Sequence, residues 1–465
     1  MENTEVSPRE NPLESESIGK LILKYSLPAI ASSLVNSIYN IVDQIFVGNS
    51  IGELGNAATN VAFPIVLVVA ALALTFGIGG ASSFSLYLGQ KNEEKAKTVA
   101  GNIMTLLLLT GAVVGFVTVL FLRPILTAFG GRGETLEYAI EYTRIIAVGT
   151  PLAMLGTGAG QLIRADGSPR YAMIATLSGA VLNCILDPVL IFGFDMGMSG
   201  AAYATVTRQL VSAVLILLYF RRFKSVRLRA SDYRLKASAV LRIVRIGIAS
   251  GAMQFASTII SIVLNNVLGY YGERSQYGRD IPLACVGIIT KVCALFDGVA
   301  LGIAQSIQPI IGYNYGAGNY ERIKEAFRKA ARIVVCISTA AFLCFQIFPR
   351  QITALFGSGD ALYFEFAVRY FRIYLFGVFI VGLQLLCTQF FPSIGKGGMG
   401  LFVSLLRRLF LLLPLVLLLP LFMGIDGVLW AGPAADGLAG VISLLLVRRE
   451  MRQWTADSRA GKQNA

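Results

Sequence analysis

From Ile18 onward the chain is a succession of apolar stretches parted by short polar turns. Leu409–Met423, for example, holds two prolines and no charged residue. Lipid offers the backbone no hydrogen-bond partners, so a chain of this kind must fold as a bundle of membrane helices. About 20 apolar residues suffice for each crossing. The pattern predicts twelve helices near 20–47, 58–85, 98–122, 139–164, 170–194, 198–220, 242–269, 283–311, 327–348, 366–391, 399–422 and 427–447. The expected fold class is therefore an all-α integral membrane protein. Only 14% of residues are charged, against about 25% in soluble proteins, so the polar surface of a soluble fold is missing.

The net charge of +13 could point to nucleic acid. Its placement argues for a membrane instead, and no nucleic-acid partner is expected. The basic residues gather in alternate loops: Lys91, Lys95, Lys97; Arg164, Arg170; Arg221 through Lys236; Arg322, Lys324, Arg328, Lys329; Lys396; and Arg448, Arg449, Arg452. The other loops carry little beyond Arg123, Arg132, Arg274, Arg279 and Arg350. Positive loops stay inside, which puts both termini in the cytoplasm of a bacterial inner membrane. Residues 1–17 are polar and contain five glutamates, so they do not read as a cleavable leader.

Several chemistries are excluded. The chain has no histidine, which removes Ser-His and Cys-His catalysis and histidine-based zinc sites. No Gly-Lys is followed by Ser or Thr, so there is no phosphate-binding P-loop. Its six cysteines lie mostly in apolar segments without C-x-x-C spacing and read as small hydrophobes. No cofactor and no enzyme activity are expected. An intramembrane prenyltransferase would need clustered D-x-x-x-D motifs, which the chain lacks.

The two halves repeat. A shift of 227 carries Gly89 to Gly316, Glu94 to Glu321, Lys97 to Lys324, Phe129-Gly130 to Phe356-Gly357, Gly197 to Gly424 and Gly200 to Gly427. A shift of 228 carries Tyr142 to Tyr370, Arg144 to Arg372, Gly149 to Gly377 and Gln161 to Gln389. Six spans per copy is an even number, so both copies share one orientation and should be related by an axis along the membrane normal. The expected organisation is a cytoplasmic tail (1–17), a first six-helix lobe (18–220), a basic solvated linker (221–241), a second six-helix lobe (242–447) and a cytoplasmic tail (448–465).

Three strings carry a family resemblance. "YNIVDQIFVG" (Tyr39–Gly48), "LNCILDPVLIFGFDMGMSGAAYAT" (Leu182–Thr205) and "QPIIGYNYGAG" (Gln308–Gly318) resemble the multidrug and toxic compound extrusion (MATE) family across residues 18–447. The resemblance implies two pseudo-symmetric lobes around a central cavity. It also implies export of small cationic, often amphipathic, compounds in exchange for H+ or Na+. A monomer in the lipid bilayer is expected.

Ionisable groups inside a bilayer are costly and are functional candidates by default. Asp43, Asp187 and Thr205 fall at similar depths, roughly 8–11 Å below the outer surface at about 1.5 Å per residue. Asn183 lies one turn from Asp187 and shares its face. A buried carboxylate gains by being neutralised, either by a proton or by a sodium ion held among oxygens. The resemblance points to the same four positions, with Asp43 as the coupling acid. Pro28 and Pro188 remove backbone hydrogen bonds and are expected to bend their helices. The alternative is interhelical glue for these polar groups.

The second lobe offers Asn265 opposite Asp43, at a local shift of about 222, together with Gln254, Asp297 and Asp436 as cavity candidates. Tyr39, Asn36 and Gln161 are the candidates of the first lobe. Asp297 and Asp436 can also be read as members of a structural ion pair. Arg407 and Arg408 are expected to snorkel to the cytoplasmic surface, and Asn319–Arg332 to form an amphipathic elbow before the ninth helix. The nearest rival function is a lipid-linked oligosaccharide flippase or polysaccharide exporter of the same superfamily. A channel is the more distant one.

Overall fold

The computed structural model describes residues 12–51, 53–221, 223–355 and 360–463, and these are helical nearly throughout, with no strand among them. The start of the N-terminal tail and the repeat pair at Phe356-Gly357 lie outside the described residues. The first six long helices are α1 (Ile18–Ile51), α2 (Glu53–Gly89), α3 (Glu93–Leu120), α4 (Gly133–Ala165), α5 (Pro169–Pro188) and α6 (Gly197–Phe220). The next three are α7 (Ala237–Glu273), α8 (Asp280–Gly316) and α9 (Tyr320–Ile347). The tenth, α10, joins Ala361–Tyr374 to Val378–Ser393 through a single 3-10 turn. The eleventh, α11, joins Gly397–Leu405 to Leu413–Met423, and α12 is Ile425–Gln463. Among the described residues twelve helices are long and apolar enough to cross a membrane, as expected.

Several helices overrun their expected bounds. α7, for instance, covers 237–273 rather than 242–269, because hydropathy marks only the lipid-buried part of a helix. Two π-helical turns break the regular pattern, Val189–Gly193 directly after Pro188 and Leu406–Leu412 within α11. Proline removes a backbone donor, and a wider turn is one way to accommodate the loss. α1 runs through Pro28 without interruption, and the Ser32 hydroxyl donates to the Pro28 carbonyl at 2.8 Å. Asn319–Arg332 is not a separate elbow. From Tyr320 onward it forms the opening turns of α9 itself, because its apolar face (Ile323, Ala326, Phe327, Ala330) is buried against the second lobe.

The two lobes exchange helix ends. The beginning of α1, at Ile18, Leu21 and Ile22, packs with Ile307, Ile323 and Phe390 of the second lobe. The beginning of α7, at Ile243, packs into the core of the first lobe beside Ile103 and Phe84. Both crossings occur at the face where the chain termini gather: the short helix Pro12–Ser15 docks on the end of α8, and Trp454 of α12 stacks on Tyr320. We call this the terminal face.

Close backbone approach seals the lobes there. A Cβ on Gly89 would strike the Tyr313 carbonyl, and one on Gly316 would strike the Leu86 carbonyl. The shift of 227 carries Gly89 to Gly316 and Leu86 to Tyr313, so this contact is two-fold symmetric, as an axis along the membrane normal requires. Gly247 meets the Thr75 carbonyl, and Gly302 meets the backbone of Ile30.

The linker is not a free solvated loop. Asn102 of α3 donates to the carbonyls of Asp232 and Arg234 at 3.1 and 3.0 Å and accepts from the Lys236 amide at 2.8 Å. Asp166 accepts from the Lys224 and Ser225 amides and from the Tyr219 hydroxyl. Burial raises the pKa of Asp166, against these hydrogen bonds, which lower it. Asn314 and Arg322 hold the carbonyl of Leu13 in a comparable way.

Candidate cation-coupling site and interlobe cavity

Asn183 and Asp187 end α5 on one face and are both fully buried. The Asn183 amide donates to Asp187 Oδ1 at 3.1 Å. That bond leaves Asp187 Oδ2 and Asn183 Oδ1 buried without a partner, as is Asp43 Oδ1 of α1. Asp43 and Asp187 are close enough to interact electrostatically. Three unpartnered oxygens in a low-dielectric setting are costly, and a bound cation or proton relieves that cost. Thr205 is half-buried on α6, and among the described residues no hydrogen bond links it to either acid. No cluster of three acidic, histidine or cysteine ligands exists among the described residues, so a sodium ion here would rest on two carboxylates plus amide oxygen.

Three members of the site fall outside the expected set. Arg208 lies one turn beyond Thr205 on α6, and its guanidinium sits over the Tyr39 ring, 4.4 Å from the centroid. It acts electrostatically on both Asp43 and Asp187. Gly179 of α5 makes room for its stem, since a Cβ there would press on Arg208 Cγ. Tyr142 of α4 lies within electrostatic range of Asp43, Asp187, Tyr39 and Arg208. Arg164, read from sequence as a loop cation, ends α4 and points inward. Its guanidinium donates to Gln161 at 3.2 Å and to Gln305 of α8 at 2.8 Å, so it ties the two lobes together. The general rule that an intramembrane charge is functional would have found Arg208. Tyr142 was visible as one half of the Tyr142/Tyr370 repeat.

An interlobe cavity of ≈ 230 Å³ is lined by Ser32, Asn36, Gln161, Arg164, Arg208 and Gln305 among others, and Asp43 and Asp187 are not in its lining. Of the first-lobe candidates, Asn36 and Gln161 line it and Tyr39 does not, its ring lying under Arg208. Gln254, Asn265, Asp297 and Asp436 lie outside its lining. Gln254 is half-buried on α7, with its carbonyl accepting from Thr258. Asn265 is exposed and borders a different cleft with Ser261 and Lys291.

The acids of the second lobe serve a different arrangement. Asp436 of α12 is 3% exposed and accepts from Arg407 Nε at 2.5 Å. Arg407 does not snorkel to the surface: its partner is buried inside the bundle, and a buried carboxylate holds a guanidinium more strongly than water does at that depth. Arg408, Asp297 and Tyr374 lie within electrostatic range of the pair. Of the two readings for Asp436, the ion pair is the one found.

Two six-helix lobes, sealed at one face and enclosing a polar interlobe cavity, define a membrane transporter rather than an enzyme. A family model described as MatE matches residues 28–189 and 249–418, and the chain belongs to that family. The chain is similar to two proteins called multidrug export protein MepA. One, from Staphylococcus aureus, is 25% identical over 446 residues, covering 96% of this chain and 97% of that protein. The other, from Staphylococcus saprophyticus, is 26% identical over 445 residues, covering 96% of each. Among solved structures, the outward-facing conformation of a multidrug resistance MATE transporter superposes with a TM-score of 0.90 at 24% identity, over 97% of this chain and 99% of that one. A Pyrococcus furiosus transporter, whose reversed pocket polarity is said to suggest a different function, superposes with a TM-score of 0.88 at 24% identity and the same coverage. These structural likenesses are of fold.

Proposed function

We propose that the protein is a secondary active multidrug efflux antiporter of a bacterial cytoplasmic membrane, with both termini in the cytoplasm. It exports cationic amphipathic compounds and works as a monomer of two lobes, the first at 18–220 and the second at 242–447. The driving ion, H+ or Na+, enters from outside and neutralises Asp43 and Asp187, with Asn183 and Thr205 as neutral oxygen ligands. One observation carries this reading: the buried, unpartnered carboxylate oxygens of Asp43 and Asp187 lie within electrostatic range of Arg208, which lines an interlobe cavity closed at the terminal face. Loading changes the charge of the first lobe, and a charge change that favours one lobe arrangement shifts the population towards it. Pro28 and the π turn after Pro188 give α1 and α5 places to flex during that shift.

The test is dye efflux from vesicles under an imposed pH gradient or an imposed Na+ gradient, one at a time. Uphill movement of a cationic dye under either gradient supports antiport. Movement only down the dye's own gradient would indicate a channel and defeat it.

A second reading has one observation in its favour. The cavity wall carries Arg164 and Arg208 and no carboxylate among its lining residues. Such a wall suits an anionic head group, as in a lipid-linked oligosaccharide. Transport of a lipid-linked sugar in the same vesicles, with no dye transport, would select this reading.

A further inference from the structure

A cleft of ≈ 610 Å³ opens between α9, α10 and α12 near the terminal face, away from the interlobe cavity. Its floor is apolar, formed by Phe327, Val335, Leu383, Leu444 and Val447. Its rim carries four arginines in two pairs spaced i,i+4: Arg328 and Arg332 on α9, and Arg448 and Arg452 on α12. All four are exposed, and none forms an ion pair among the described residues. Lys324 lies on the same rim, held by Glu321 at 2.7 Å.

Like charges spaced i,i+4 destabilise a helix. Here two such pairs border one cleft, with no acid among its lining residues. Of the four arginines, Glu321 reaches only Arg328 electrostatically, and an anion seated in the cleft would relieve the repulsion of both pairs. The apolar floor between transmembrane helices calls for hydrocarbon at the same place. Few molecules supply both, and anionic phospholipid in the adjoining leaflet does. Guanidinium forks match phosphate oxygens in geometry, and basic pockets between membrane helices on this side suit acidic head groups. We propose that this cleft is a binding site for an anionic phospholipid, with its phosphate on the two arginine pairs and its acyl chains along Phe327, Leu383 and Leu444.

The experiment is native mass spectrometry of the detergent-solubilised full chain, titrated with phosphatidylglycerol, phosphatidylethanolamine or inorganic phosphate. The intact protein should retain phosphatidylglycerol at least tenfold better than phosphatidylethanolamine, and inorganic phosphate at equal concentration should not displace it. Replacing Arg328, Arg332, Arg448 and Arg452 by Gln should cut retention about tenfold. Replacing Lys91, Lys95, Arg234 and Arg245 by Gln removes four charges from the same face outside the cleft and should change little. An equal loss in both variants would mean general surface attraction and overturn the site. Displacement by inorganic phosphate would reduce it to a bare anion site and overturn the lipid assignment. Ala331→Trp fills the cleft without touching its charges, so it reports even if the quadruple variant does not fold. Retention of lipid by that variant would also overturn the proposal.

Discussion

The two lobes share a scaffold but handle buried charge in opposite ways. In the first, Asp43 and Asp187 keep buried oxygens without partners, and the nearby cation Arg208 stacks on a tyrosine. In the second, Asp436 is clasped by Arg407. The positions are not equivalent. The shift of 227 carries Asp187 to Pro414 and Arg208 to Ala435, and it carries Ala180 to Arg407. One seat is shared. Gly149 leaves room for Gln209, and its repeat mate Gly377 leaves room for Asp436. A neutral amide in one lobe has become an ion-paired acid in the other. An unsatisfied cluster can be driven by an ion arriving from outside, whereas a satisfied pair resists change. On the proposed function, switching belongs to the first lobe and rigidity to the second.

Four experiments can break this contrast, beginning with the largest effect. Asp43→Asn should lower gradient-driven dye efflux at least 100-fold at unchanged membrane expression, while Asp297→Asn keeps most of it. Equal losses would end the assignment of switching to one lobe. Asp436→Asn should destabilise the protein by about 3–5 kcal/mol, because it leaves Arg407 buried and uncompensated. Thermal melting in detergent reads this, and adding Arg407→Met should recover most of the loss. A pair that merely lines the cavity would show no such recovery.

Arg208→Gln removes the resident cation facing both acids. The half-saturating concentration of the driving cation should then fall about tenfold, from a Coulomb interaction of one to two kcal/mol at an effective dielectric constant of about 20. An unchanged value would mean that Arg208 serves the cavity alone. The smallest effect belongs to Arg164→Gln, which loosens the tie to Gln305 at a cost of about 1 kcal/mol. Labelling of a cysteine placed at Ser306 from the terminal face should rise a fewfold, and no rise would place the seal wholly in the glycine contacts around Gly247 and Gly316.

Much of the architecture was legible in the chain. Twelve apolar stretches, the repeat and the alternation of basic loops depend on local composition and spacing, which hydropathy reads directly. The Asp187/Asn183 pair was legible too, because helical periodicity alone puts residues four apart on one face. Other features were beyond that reach. Arg164 and Arg407 read as cations near helix ends, and whether such a side chain reaches water or a buried partner depends on the neighbouring helix. The linker read as a charged, solvated loop, but Asn102, Thr105 and Asp166 supply hydrogen bonds that tie it down from far along the chain.

By itself the sequence determined the number of helices, their repeat and the acids that lie within them, because lipid admits so few backbone solutions. The tertiary structure alone decided which charges meet. It left Asp43 and Asp187 open and closed Asp436 with Arg407. It sealed the lobes through glycine at one face and turned Arg164 and Arg208 toward the cavity. Those outcomes follow from the distances between helices that no local pattern encodes.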